Sequence, residues 1–293
     1  MRTALALFLA LLFVSIVVYA FPLTVLYTND LHVRVSRLKS IGEMIDAERH
    51  CDVPVLLFDA GDTWQDFRLP LSAVWGVQEM VAWMNGVGYS AMALGNHDLY
   101  LNPHTLDAAI AQAEFPVLCA NYVSESATSW TPAALLEIDG MRILVVGLIT
   151  HELLPFGARP HLVLHDAACA LRQVSESYQN RYDFLFVVAH ISVDRAIRIA
   201  RSVQGIDVFV SGHSHERTHE PVVEGKTLIV QAGQFGEHLG RLRLDVDLEN
   251  ARLHVVDNTL LPTKTTPVNV RSGVVQLLIT VASLLGVAAL LLF

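Results

Sequence analysis

The stretch "IDVFVSGHSHERTHE", residues 206–220, runs from an apolar segment through Gly212 into two histidines two positions apart, His213 and His215. A short apolar run closed by glycine reads as a strand buried on both faces, which sets both imidazoles at its C-terminal mouth. Two histidines alone fit a loop, a catalytic base or a metal ligand. Whether the same arrangement recurs along the chain separates these readings.

It does recur. The runs "PLTVLY" (22–27), "VPVLLF" (53–58), "YSAMAL" (89–94), "FPVLCA" (115–120), "RILVVGLI" (142–149) and "YDFLFVVAH" (182–190) also read as buried strands. Helical patterns over 34–49, 76–87, 103–114, 165–180 and 192–204 lie between several of them. This alternation predicts an α/β fold with mostly parallel, buried strands. Beyond Gly212, "KTLIVQAG", "LGRLRLDVDLE" and "RLHVVDNTL" read as consecutive strands, the last two alternating with the period of an antiparallel pair.

In open α/β sheets, binding groups gather where strands end. There the chain carries "TNDLH" with Asp30 and His32, "FDAGDTWQD" with Asp59, Asp62 and Asp66, and "LGNHDLY" with Asn96, His97 and Asp98. His190 closes the next such strand, and His213 and His215 follow the last. Metal binding explains five strand ends that all deliver Asp, Asn or His to one edge. Asp30, His32, Asp62, Asn96, His190, His213 and His215 exceed the three or four protein ligands of a tetrahedral site, so two divalent ions fit better than one. Imidazole and oxygen donors without thiolate suit Mn, Zn, Fe or Co. Such a pair can hold a hydroxide and clamp the oxygens of an in-line displacement. Gly61, Gly95 and Gly212 precede these side chains and read as turn residues free to adopt positive φ. His50, His104, His161, His165, His219 and His254 read as surface or packing residues.

The ends of the chain differ from its middle. Residues 1–20 place Arg2 before an uncharged run and small residues, Val18 and Ala20, where a signal peptidase would cut, and so read as a secretory signal. Residues 21–261 form one domain of catalytic size, and 262–272, "PTKTTPVNVRS", read as a stalk. Residues 273–293 are uncharged and about as long as a bilayer crossing needs, which predicts a C-terminal membrane anchor or anchor signal. The expected location is therefore the extracytoplasmic face of a membrane. A net charge of −9 excludes a nucleic-acid polymer as partner, because binding one relies on clustered Lys and Arg. The three cysteines show neither metal spacing nor a disulfide framework, and at least one is expected as a buried free thiol.

The ordered set "DLH", "GD", "GNHD", "AH" and "GHSH" resembles the calcineurin-like metallophosphoesterases. "CANYV", "VVGLIT", "GHSHERTHEPVV", "VQAG" and "LGRLRLDVD" resemble the catalytic half of their 5′-nucleotidase branch. The resemblance implies a four-layer α/β/β/α sandwich and hydrolysis of a small phosphorylated substrate such as a nucleotide. It also implies that Asp30, His32 and His215 hold one ion, that Asn96, His190 and His213 hold the other, and that Asp62 bridges them. His97 would face the substrate, with Asp98 or Asp66 as the carboxylate that orients it. Three departures stand out. Asp98 and Tyr100 occupy places where the branch carries Glu and Asp; Gln65 is followed by Asp66; and no second, nucleoside-gripping domain is visible. Trp64, Phe67 and Trp75 could wall the substrate or pack the core. Phosphodiester or sulfur-ester hydrolysis, or a catalytically silent metal-binding ectodomain, are the competing readings.

Overall fold

The computed structural model describes residues 20–65, 76–124, 129–152 and 162–267. The anticipated signal and tail, and with them Asp66, Phe67 and Trp75, lie outside the described residues. No helix among the described residues is long and apolar enough to cross a membrane.

The strands form a mixed α/β architecture with two six-stranded sheets. The first contains β1 (Ala20–Thr28), β2 (Val55–Asp59), β3 (Ala91–Ala93), β4 (Val117–Leu118), β13 (His238–Asp247) and β14 (Arg252–Pro262), in the order β14-β13-β1-β2-β3-β4. The second contains β6 (Ala133–Ile138), β7 (Met141–Ile149), β9 (Phe184–His190), β10 (Ile206–Ser211), β11 (Val222–Glu224) and β12 (Thr227–Val230), in the order β11-β12-β10-β9-β7-β6. A small ribbon pairs β5 (Tyr122–Ser124) with β8 (Leu162–Leu164). Helices α1 (Val35–Arg49), α2 (Val77–Val87), α3 (Pro103–Gln112), α4 (Ala167–Ser177) and α5 (Val193–Ser202) supply the crossovers.

Three apolar layers hold these elements together. Between the sheets, Val25, Tyr27 and Phe58 meet Val145, Phe186 and Val210, with the Phe58 and Phe186 rings 6.2 Å apart. On the outer face of the first sheet, Leu26, Leu57 and Met92 pack on Ile41 of α1, Met84 of α2 and Leu106 of α3. On the outer face of the second, Leu144, Val187 and Phe209 pack on Leu171 of α4 and on Ala196 and Ile199 of α5. Burial on both faces explains why β9 and β10 are mostly apolar runs. In β13, by contrast, Leu242 and Leu244 face inward while Arg241 and Arg243 are only partly buried.

All seven long apolar runs and all five helical patterns are found. The expectation of a single sheet edge is not. β12 joins the second sheet, whereas β13 returns to pair antiparallel with β1 of the first. The two sheets face each other, so their C-terminal strand ends converge from both. β14 is antiparallel to β13 and therefore parallel to β1, and its end reaches that same convergent edge.

Candidate metal centre

The loops after β1 and β2 extend their ladder past the strand ends: Asp30 N–H donates to Gly61 O, His32 N–H to Asp62 O and Val33 N–H to Thr63 O. To turn the side chains inward, the backbone adopts left-handed conformations at Asp30 (φ 52°), His32 (46°), Asp62 (57°), His213 (71°) and His215 (58°). Val33 and Phe235 share this geometry at the same edge. Each costs on the order of 1–3 kcal/mol and persists only where surrounding structure enforces it. The glycines serve differently from the expectation. Gly61 does take φ 87°, but Gly95 and Gly212 lack positive φ and are required for close approach. A Cβ on Gly95 would lie 2.1 Å from Asp62 Oδ1, and one on Gly212 would lie 2.7 Å from Ala60 O.

Ligand atoms of Asp30, His32 and His215 lie within 4.8 Å of one another, as do those of Asp30, Asp62 and His190, and those of His32, Asp62 and His97. Nε2 of His215 is 3.1 Å from Asp30 Oδ1, Nε2 of His190 is 3.1 Å from Asp62 Oδ2, and Nε2 of His32 is 3.8 Å from Asp30 Oδ1. Partners identify the tautomers, since a carbonyl or carboxylate can only accept. Nδ1–H of His190 donates to Ala60 O (2.8 Å) and Nδ1–H of His32 to Gln65 O (3.3 Å), leaving each Nε2 lone pair for the cluster. Asp30 Oδ1, Asn96 Oδ1 and His190 Nε2 are buried without a hydrogen-bond partner. Such atoms are costly unless something satisfies them, and these three are electron-pair donors of the kind that hold divalent cations.

The electrostatics agree. Burial pulls the His190 imidazole down, but Asp62 and Asp30 outweigh it and lift it to about 10. Burial opposes ionisation of Asp62, yet His190, His32 and His97 hold its carboxyl below the usual range. This concentration of carboxylate charge demands positive charge, which cations or protons can supply.

His97 approaches through Asp62: its backbone N–H donates to Asp62 Oδ1 (2.8 Å), and its Nε2 lies 4.0 Å from Asp62 Oδ2. Asn96 Nδ2 donates to the Tyr100 hydroxyl (3.2 Å), and its buried Oδ1 has no hydrogen-bond partner. His213 joins none of the three triplets, although its ring lies 5.1 Å from that of His190. Its Nε2 meets Glu152 Oε2 at 2.8 Å, which leaves Nδ1 for a cation.

Asp98 does not orient His97. Its oxygens are occupied by the backbone N–H groups of Asp62, Thr63, Trp64 and Gly95, at 2.9 to 3.2 Å. It acts as a buried brace between two site loops, pushed up to about 7 by burial and by the charge of Asp62. Asp59 braces the same turn through Thr28, Thr63 and Gly61. Trp64 is core, its indole N–H directed at Met84 Sδ. Cys119 is a buried thiol raised to about 12 by burial, and Cys51 and Cys169 are exposed and free.

Two neighbours of the centre escape the sequence reading. Glu152 follows the end of β7, and the strand-end rule applied to that strand finds it. Phe235 packs 5.6 Å from the His32 ring and 5.9 Å from that of His215, with the Arg34 guanidinium 4.1 Å above it. No pattern in "VQAGQFG" marks it.

Residues 23–217 match the family model for calcineurin-like phosphoesterases, most of the described chain. The chain belongs to that family. As a calcineurin-like phosphoesterase it is a phosphoric ester hydrolase, similar over 273 residues and at 29% identity to 5′-nucleotidase of Diplobatis ommata. That alignment covers 78% of this chain and 46% of the relative, so the chain spans about half the length of the nucleotidase it matches. Among solved structures, the 5′-nucleotidase precursor of Thermus thermophilus shares the fold at TM-score 0.70 and 23% identity, over 83% of this chain and 55% of that one. The calcineurin-like phosphoesterase YfkN of Bacillus subtilis does so at TM-score 0.70 and 18% identity, over 88% and 96%.

Proposed function

We propose that this phosphoesterase is a two-cation phosphomonoesterase with nucleotidase-like activity, in a four-layer α/β/β/α sandwich. Asp30, His32 and His215 would hold one ion, Asn96, His190 and His213 the other, and Asp62 both. When bound, the pair neutralises phosphoryl oxygens and makes water acidic enough to attack near neutral pH. The chain's own residues set the geometry. Ala60 O and Gln65 O fix the imidazoles of His190 and His32, Glu152 fixes that of His213, and the backbone of His97 clamps Asp62. His97, 19% exposed, stands at the rim, where it can donate a proton to the leaving oxygen. The observation that carries this reading is the pair of buried, unpartnered lone-pair atoms Asp30 Oδ1 and His190 Nε2, 3.9 Å apart, with a third such atom on Asn96.

Residues 1–20 would export the chain and 273–293 would anchor it to the membrane. The test is hydrolysis by the full-length chain of nucleoside monophosphates, phosphodiesters and a thiosulfonate, with Mn or Zn titrated in. Metal-dependent release of phosphate from monoesters is expected, with turnover abolished and metal content retained in His97→Ala. Turnover restricted to diesters or to the sulfur substrate would overturn it.

A further inference from the structure

The chain leaves the fold beside the metal centre. After β14 reaches the convergent edge, Thr263 N–H donates to Glu237 O and the Thr263 hydroxyl to Gly236 O. Lys264 N–H then donates to Ser40 Oγ, and Thr266 N–H to Ser36 O, both on α1. Gly236 follows Phe235, whose N–H donates to Asp30 O and whose ring packs on His32 and His215. A cation ligand, the Phe235 loop and the departing chain are thus successive neighbours.

From Pro267, residues 268–272 lead into the uncharged segment 273–293. At roughly 3.3–3.6 Å per residue this tether reaches about 20 Å at most. The length of the apolar segment matches the roughly 20 apolar residues that a crossing of the roughly 30 Å bilayer core requires. The charge at this edge is also distinctive. Arg34, Arg37, Lys39 and Lys264 lie around the exit, with Lys39 paired to Glu43 at 3.8 Å, and the sequence of residues 262–273, which includes Arg271, holds no acid in a chain of net charge −9. Cations at the start of α1, which has no acidic residue in its first turn, oppose the helix dipole. A cluster of cations of this kind attracts an anionic surface.

We propose that the catalytic edge faces the membrane and that the enzyme's substrate is a phosphate monoester carried by a lipid in that bilayer. This rests on the two-cation phosphomonoesterase reading and on the anchor. The short tether holds the site near the headgroups, the basic rim draws an anionic headgroup, and the centre cleaves its phosphate with water, releasing inorganic phosphate and the lipid alcohol.

The test uses the full-length chain in phosphatidylcholine vesicles containing phosphatidate, with Mn supplied and 4-nitrophenyl phosphate as a soluble monoester in the same sample. Phosphate release from phosphatidate is expected. Because effective concentration falls as about the −3/2 power of tether length, a Gly/Ser insertion of about 30 residues after Pro267 should cut phosphatidate turnover by about tenfold. It should leave the soluble ester unaffected. The double reversal Lys39→Glu, Lys264→Glu should likewise lower only the lipid reaction. Hydrolysis of the soluble ester with phosphatidate untouched, or indifference of the lipid reaction to the insertion, overturns this proposal alone. Failure on both substrates overturns the phosphomonoesterase reading beneath it, and a chain that does not float with the vesicles overturns the anchor.

Discussion

Gly95→Ala tests the idea that two site loops are packed to the limit around Asp62. The new Cβ would sit 2.1 Å from Asp62 Oδ1, 2.3 Å from Asp62 N and 2.8 Å from Asp62 Cγ. Ordinary contacts are about 3.5 Å, so the Asp62 carboxylate must retreat by more than about 1 Å. The strain cannot relax outward, because Asp98 ties the Gly95 and Asp62 amides to one carboxylate oxygen, Oδ2. Overpacking of this kind costs about 1–3 kcal/mol, and a displacement of about 1 Å in a catalytic group costs about a hundredfold in rate. The assay compares kcat/KM on a monoester and bound metal per chain with urea unfolding of the same variant. Gly86→Ala is the control, since nothing lies within 4 Å of its Cβ and it sits exposed in α2; it should gain about 0.5–1 kcal/mol. Unchanged kcat/KM with full metal content in Gly95→Ala would refute the reasoning.

Glu152→Ala removes the acceptor that sets the His213 tautomer. Metal affinity should fall about 10–100-fold for one ion per chain while the other stays, which calorimetric titration resolves. Asp98→Asn offers one acceptor oxygen and an amide donor to four backbone N–H groups. Each donor left unsatisfied costs about 1–3 kcal/mol, visible as a lower urea midpoint. Burial raises the Asp59 carboxyl to about 7. The folded chain therefore keeps a proton there that the unfolded chain gives up near pH 4, so stability should decline as pH rises from 5 to 7. Denaturant titrations across that window should show a shallower slope in Asp59→Asn than in the parent.

Much of the fold was legible because burial on both faces writes β7, β9 and β10 as mostly apolar runs, and because Gly or Asp punctuates each. The pairing of strands was not. Nothing local tells β12 to join β10 and β13 to join β1, since that choice depends on which faces are covered once both sheets exist. The three-residue strands β5, β8 and β11 are too short to show a period. At the site, residue type and position at strand ends sufficed to bring Asp30, His32, Asp62, His190 and His215 together. Asp98 was misread because a carboxylate next to His97 in sequence looks like its partner, whereas the 3-10 turn that it begins directs the side chain to backbone amides. The left-handed φ values of the candidate ligands were invisible, because Asp and His carry no sequence mark of it.

Direct counting of metal bound to the full-length chain tests the central claim. Elemental analysis after equilibration with Mn or Zn should return two ions per chain in the parent and fewer in Asp62→Ala, since that carboxylate is proposed to hold both. Phosphate-ester hydrolysis by a chain that binds one ion or none, or an unchanged count of two in Asp62→Ala, would contradict the account.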